Sequence, residues 1–160
     1  IARLRPGIPV VRGASPIRLD DPDAVAGRRV LVVEDGPTIT HGGMAFGAGY
    51  VAIRDLAAEI IDPRAFAAPG IAAVFERYPH IGPVLPAVGY SEAQRRELEQ
   101  TIAASGADAI VIATPIDLGG LLRIDIPTVR VRYDYADAGK PELAEIVDGF
   151  LERSGLGKGT

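Results

Sequence analysis

The stretch Val30-Leu31-Val32-Val33 constrains the fold of this chain more than any other. An unbroken apolar run of that length, closed by Glu34-Asp35-Gly36, reads as a strand buried on both faces, as in a parallel sheet. Open sheets of that kind bind ligands just beyond the carboxyl ends of their strands. Here that edge carries Glu34, Asp35, Thr38, Thr40 and His41, followed by glycines at 42, 43, 47 and 49. This is more polar chemistry than a connecting turn needs.

A chain of 160 residues, 48% of them hydrophobic, suits one domain with a sizeable core. With no cysteine there is neither a disulfide framework nor a thiolate metal site, which fits a cytoplasmic location. No apolar run has the length of a membrane span. The net charge of −4 disfavours a general nucleic-acid surface, although a few local charges suffice for a small anion.

Read in order, residues 1–6 suggest the last turn of a helix, 8–12 a short strand and 13–16 the loop leaving it. A helix over 40–56 has Thr40 as its N-cap. Four glycines within eight residues, each costing about 1 kcal/mol relative to alanine inside a helix, call for a reason. The choices are a loop, close packing of a small-faced helix, or close approach of a ligand. Further strands are expected at 58–62, 84–86, 108–113 and 128–133. Helices are expected at 71–78, at 142–151 and after Ser91, the last with Leu98 and Ile102 inward and Gly106 beyond its end. The alternation indicates an α/β fold: a largely parallel sheet flanked by helices, Rossmann-like and three-layered. The tail Ser154-Gly-Leu-Gly-Lys-Gly-Thr160 lacks the G-x-x-x-x-G-K-[ST] pattern, because Glu152 stands at the first glycine position, and reads as a mobile terminus.

Polar groups cluster at four strand ends: Asp35 with Thr38, Thr40 and His41; Asp62 with Arg64; Thr114 with Asp117; and Arg130 with Arg132. Each alone is an ordinary strand-to-turn signal. Arg130 and Arg132, two apart, share one face of a strand, either as forks for phosphate or carboxylate or as the solvated face of an edge strand. His41, beside glycines, reads as a proton donor or anion contact, and His80, between prolines, as structural. The histidines show no metal-motif spacing.

The segments EDGPTITHGG, IDPR, YPHIGPVLPAVGYS, ATPIDL and PTVRVRY resemble the carboxyl-terminal part of the cyclic 2,3-diphosphoglycerate synthetase family, whose bacterial members are labelled predicted GTPases. The likeness runs from about Gly7 to Phe150, and its departures include Ala65-Phe66 after the arginine. The resemblance implies a longer protein with a P-loop NTPase core, of which residues 1–16 are the last helix and strand. Ala14 and Ser15 then lie in the loop that meets the nucleotide base. It also implies ATP or GTP with Mg²⁺, held mainly by the P-loop part, and a small phosphorylated anionic substrate. The expected activity is a nucleotide-dependent phosphoryl transfer that forms an internal phosphoanhydride, with this fragment alone inactive. On that basis the candidate catalytic residues are His41 and Asp35. The candidate anion-binding residues are Thr38, Thr40, Gly42, Gly43, Arg64, Arg130 and Arg132, with no metal ligands assigned. Partners are the P-loop region of the same protein, with a homo-oligomer left open. The alternative is a ligand-sensing or docking domain with no chemistry of its own.

Overall fold

A computed structural model describes residues 3–88 and 91–155. Ile1, Ala2, Gly89 and Tyr90 of the stretches quoted above, and residues 156–160 of the tail, lie outside the described residues. In chain order the strands are β1 (Gly13–Ala14), β2 (Ile17–Leu19), β3 (Arg29–Asp35), β4 (Glu59–Ile60), β5 (Leu85–Ala87), β6 (Ala109–Ala113), β7 (Thr128–Tyr133) and β8 (Ala136–Asp137). The helices are α1 (Gly36–Thr40), α2 (Ala48–Ile53), α3 (Pro69–Arg77), α4 (Glu92–Ala104), α5 (Leu118–Leu121) and α6 (Leu143–Arg153), with a 3₁₀ turn at Pro63–Phe66.

The chain divides into two compact units: residues 17–132, and residues 1–16 together with 133–160. The larger unit is α/β. Its sheet has the order β2-β7-β6-β3-β4, with β5 also paired to β3. β3 runs parallel to β4, β5 and β6, and β6 parallel to β7. β4 takes the start of one edge of β3, at Arg29 and Val30, and β5 takes the end of that edge, at Val33 to Asp35. Val30 to Val33 are all fully buried. Successive strand residues face opposite ways, so both faces of β3 are covered, as the apolar run requires.

Local signals place the helices. Ser91 and Gln94 form a capping box that starts α4, and Leu98 and Ile102 face the core. Asp35 caps α1, which carries Pro37 in its first turn. The expected helix over 40–56 is instead two short ones, α1 ending at Thr40 and α2 beginning at Ala48, with the glycine-rich stretch between them as a loop. Thr40 therefore ends a helix and does not start one.

In the smaller unit, β1 pairs antiparallel with β8, Gly13 opposite Asp137 and Ala14 opposite Ala136. Residues 8–12, read as a strand, carry no ladder, and residues 3–7 form turns and no helix. Ala14 lies in a strand, with Ser15 just after it, so the expected loop at 13–16 is replaced in part by β1. Glu142 and Glu145 form the capping box of α6.

Candidate functional site

The carboxyl end of β3 divides two neighbouring acids between opposite tasks. Glu34 points into the molecule and is buried. Its Oε1 accepts the backbone N–H of Gly47 at 3.0 Å and of Tyr50 at 2.9 Å, which satisfies the open amides at the start of α2. Burial pushes its carboxyl above the ordinary value, opposed by the amides of Tyr50, Gly49 and Gly47 and reinforced by Asp35. This contact explains two of the glycines. A Cβ on Gly47 would meet Glu34 Oε2 at 2.6 Å, and one on Gly49 would lie 2.8 Å from both Ala113 Cβ and Val32 Cγ1. Both serve close packing of α2 on the sheet.

Asp35 turns outward and caps α1. Its Oδ2 accepts from the Thr38 amide at 3.2 Å and the Thr38 hydroxyl at 2.8 Å. Thr40 Oγ1 donates to the Gly36 carbonyl at 2.7 Å, which uses the hydroxyl's one proton. The same oxygen lies 3.0 Å from His41 Nδ1, so in the neutral ring that contact assigns the proton to Nδ1. Nε2 of the exposed His41 is then left with its lone pair. Thr38 and Thr40, read as anion contacts, thus serve the cap and the imidazole. Gly42 is likewise committed: its N–H donates to the Pro37 carbonyl at 3.2 Å, and a Cβ there would meet Thr38 O at 2.3 Å. Gly43, with φ +66° and open space at the Cβ position, needs glycine for its backbone alone.

Two stretches that carry the sequence resemblance meet here. His80 Nε2 lies 2.7 Å from the Ile39 carbonyl, which only accepts, so Nε2 is the donor. The Gly82 amide donates to the Ala45 carbonyl at 2.6 Å. The Tyr78 ring sits 6.5 Å from that of His41 and 6.2 Å from that of His80. Arg64 braces the same connection. Its guanidinium donates to the carbonyls of Ile81 and Gly82, pairs with Asp62 at 3.1 Å and lies 4.5 Å over the Phe75 ring. The fork expected to hold an anion is engaged in holding the loop at 81–82.

Arg130 and Arg132 lie on β7, which β6 separates from β3. Val129 and Val131 are buried on the opposite face, as the alternation predicts. Arg132 holds Asp20 through both of its fork atoms, Nε at 2.8 Å from Oδ1 and Nη2 at 2.9 Å from Oδ2, and keeps that carboxyl below its ordinary value. Arg130 donates to the Pro115 carbonyl at 2.9 Å and lines a cavity of about 200 Å³ with Asp20, Asp21, Asp117 and Thr128. Among the described residues no three His, Asp or Glu side chains are grouped as a metal site. No helix there is long and apolar enough to cross a membrane.

The site so described sits at the carboxyl edge of a mixed α/β sheet and presents an oriented imidazole. The chain is similar to the arginine synthetase ArcE of Thermococcus kodakarensis, 47% identical over 153 residues. That match covers 95% of this chain and 34% of the relative, so the chain spans about a third of the relative's length. The relative's name is that of a ligase-type enzyme. No family profile matches the chain, and no solved structure matches it.

Proposed function

We propose that this chain is the acceptor-holding part of a nucleotide-dependent synthetase, with His41 moving a proton at the carboxyl edge of the sheet. The observation that carries this reading is the Gly36–Thr40–His41 relay, which presents Nε2 as the free nitrogen of an exposed ring. A synthetase of this type transfers a phosphoryl group from nucleotide to acceptor; a second group then attacks the activated acceptor and the transferred phosphoryl group leaves as inorganic phosphate. His41 Nε2 takes the proton of the attacking group, and the open backbone at Gly43 admits the anion. ATP or GTP with Mg²⁺ would be held by polypeptide outside this chain. Ala14 and Ser15 remain candidates for contact with the base.

The resemblance to cyclic 2,3-diphosphoglycerate synthetases supports a phosphate as the attacking group, closing an internal phosphoanhydride. The relative's name supports a second reading, in which the product is arginine. The cavity that sets Asp20, Asp21 and Asp117 beside Arg130 offers the mixed charges an amino acid needs.

The test places this chain in the relative in place of its matched third and measures nucleotide-dependent turnover. His41→Gln is expected to lower kcat by about 100-fold or more with KM changed by less than about threefold, as for a group acting in the transition state. Unchanged kcat in the folded variant would remove His41 from the chemistry and leave the chain a sensing or docking part.

A further inference from the structure

The segment that carries His41 is held at both ends by one connection of the larger unit, residues 78–82. His80 Nε2 donates to the Ile39 carbonyl at 2.7 Å, just before His41. The Gly82 amide donates to the Ala45 carbonyl at 2.6 Å, just after it. Between these anchors, α1 has five residues, too few to hold a helical turn in water unaided. The carbonyls of its last turn have no partner within the helix. That of Pro37 takes the amides of His41 and Gly42. That of Ile39 takes a side chain 41 residues further along the chain. The Ile39 side chain is fully buried, which fixes where the helix ends. The bond to its carbonyl fixes the peptide plane from which Thr40 and His41 project.

The donor is itself firmly mounted. The Ile81 amide closes a turn on the Tyr78 carbonyl at 3.1 Å, and the Ile81 side chain is buried. Arg64 ties down the carbonyls of Ile81 and Gly82. The Nε2–H is present both in the neutral tautomer that this contact selects and in the imidazolium. The hold therefore does not depend on the charge of the His80 ring.

We propose that His80 is a positioning residue: through the Ile39 carbonyl it sets the last turn of α1, and with it the Thr40–His41 contact that keeps the proton on Nδ1 and leaves Nε2 open. Its consequence for turnover rests on the reading of His41 given above, but the orientation itself is tested without turnover. His80→Leu removes the donor, whereas His80→Gln carries an N–H at similar reach. The chain has two histidines, so each variant leaves His41 as its only imidazole. The tautomer of that ring is read from ¹⁵N shifts in this chain, at a pH where the ring is neutral. In His80→Leu the ratio of Nδ1–H to Nε2–H is expected to fall about fivefold or more, and in His80→Gln by less than about twofold. Ile102→Val, a core change on α4, is expected to leave the ratio as it is. In the chimera with the relative, His80→Leu is expected to lower kcat about tenfold or more with KM changed by less than about threefold, and His80→Gln to restore most of the loss. An unchanged ratio in folded His80→Leu overturns the proposal. So does a ratio that falls equally in His80→Gln or in Ile102→Val. Turnover that survives His41→Gln would instead remove the catalytic reading, and the tautomer ratio alone then decides the proposal.

Discussion

At the scale of single residues, the two acids that close β3 show how much one step along a strand changes. Glu34 is inside, holding the start of α2, and Asp35 is outside, capping α1. Glu34→Ala removes the acceptor from two amides, and the expected loss of stability is about 2–4 kcal/mol by urea denaturation. Glu34→Gln keeps an oxygen there and is expected to cost less. Its pH dependence has a definite sign. Because the folded carboxyl is raised, the folded state holds the proton more tightly than the unfolded chain. The contribution of Glu34 is therefore fully present below its unfolded value and is lost as pH rises through the folded one. The deficit of Glu34→Gln relative to wild type should shrink as pH is raised from about 4 towards neutrality. A deficit that grows with pH would show that the amides, and not burial, dominate. Thr40→Val tests the assigned tautomer: the Nδ1–H state of neutral His41, read from ¹⁵N shifts, should lose its preference. The strand-end acids, Thr40 and His41 were all visible in the sequence as a polar cluster. What each one touches was not, because a cap and an anion site draw on the same residue types.

At the scale of elements, α2 and α3 start at residues that have no side chain able to cap them. Gly47 precedes α2 and Ala68 precedes α3. Their open amides are served from elsewhere, by Glu34 for α2 and by Glu97 and Thr101 of α4 for α3. Such long-range caps leave no local signature, so nothing in the sequence marks Ala48 as the start of a separate helix. By contrast α4, with its cap in sequence at Ser91, was legible from its first residue to its last turn. Gly49→Ala is a test of sign. In an open helix the change gains about 1 kcal/mol, but overpacking costs about 1–3 kcal/mol. A Cβ 2.8 Å from Ala113 Cβ and Val32 Cγ1, both on buried strands, should make the net effect destabilising. Ala113→Gly in the same chain should recover part of it. Arg64→Leu should leave the sheet intact yet release the connection at 81–82. The Gly82 amide, bonded to Ala45, is then expected to exchange with solvent about tenfold faster.

At the scale of the whole molecule, the core belongs to one unit. A fragment of residues 17–132 is expected to unfold cooperatively, with a denaturant midpoint close to that of the full chain, because it retains every apolar residue that is buried among the described residues. Loss of cooperativity in that fragment would show that the smaller unit completes the fold. The α/β class was readable from the run Val30–Val33 and from the alternation of elements, although the sheet is mixed where a largely parallel one was expected. The pairing of β1 with β8, two residues each, was not, since strands that short carry no periodicity.

The edge of β3 shared by β4 and β5 has a further consequence. One place in the sheet is filled by two short strands, and the chain leaves it at residue 61 and returns at 84. The excursion between them is anchored at both ends to the same neighbour, and Ile71, Phe75 and Ile81 pin its middle to the core. It also supplies Tyr78, His80 and the Gly82 amide to the stretch around His41. Substitutions at the exposed positions of this excursion can therefore retune what faces the imidazole while β3, the strand that carries it, keeps its ladder with β6.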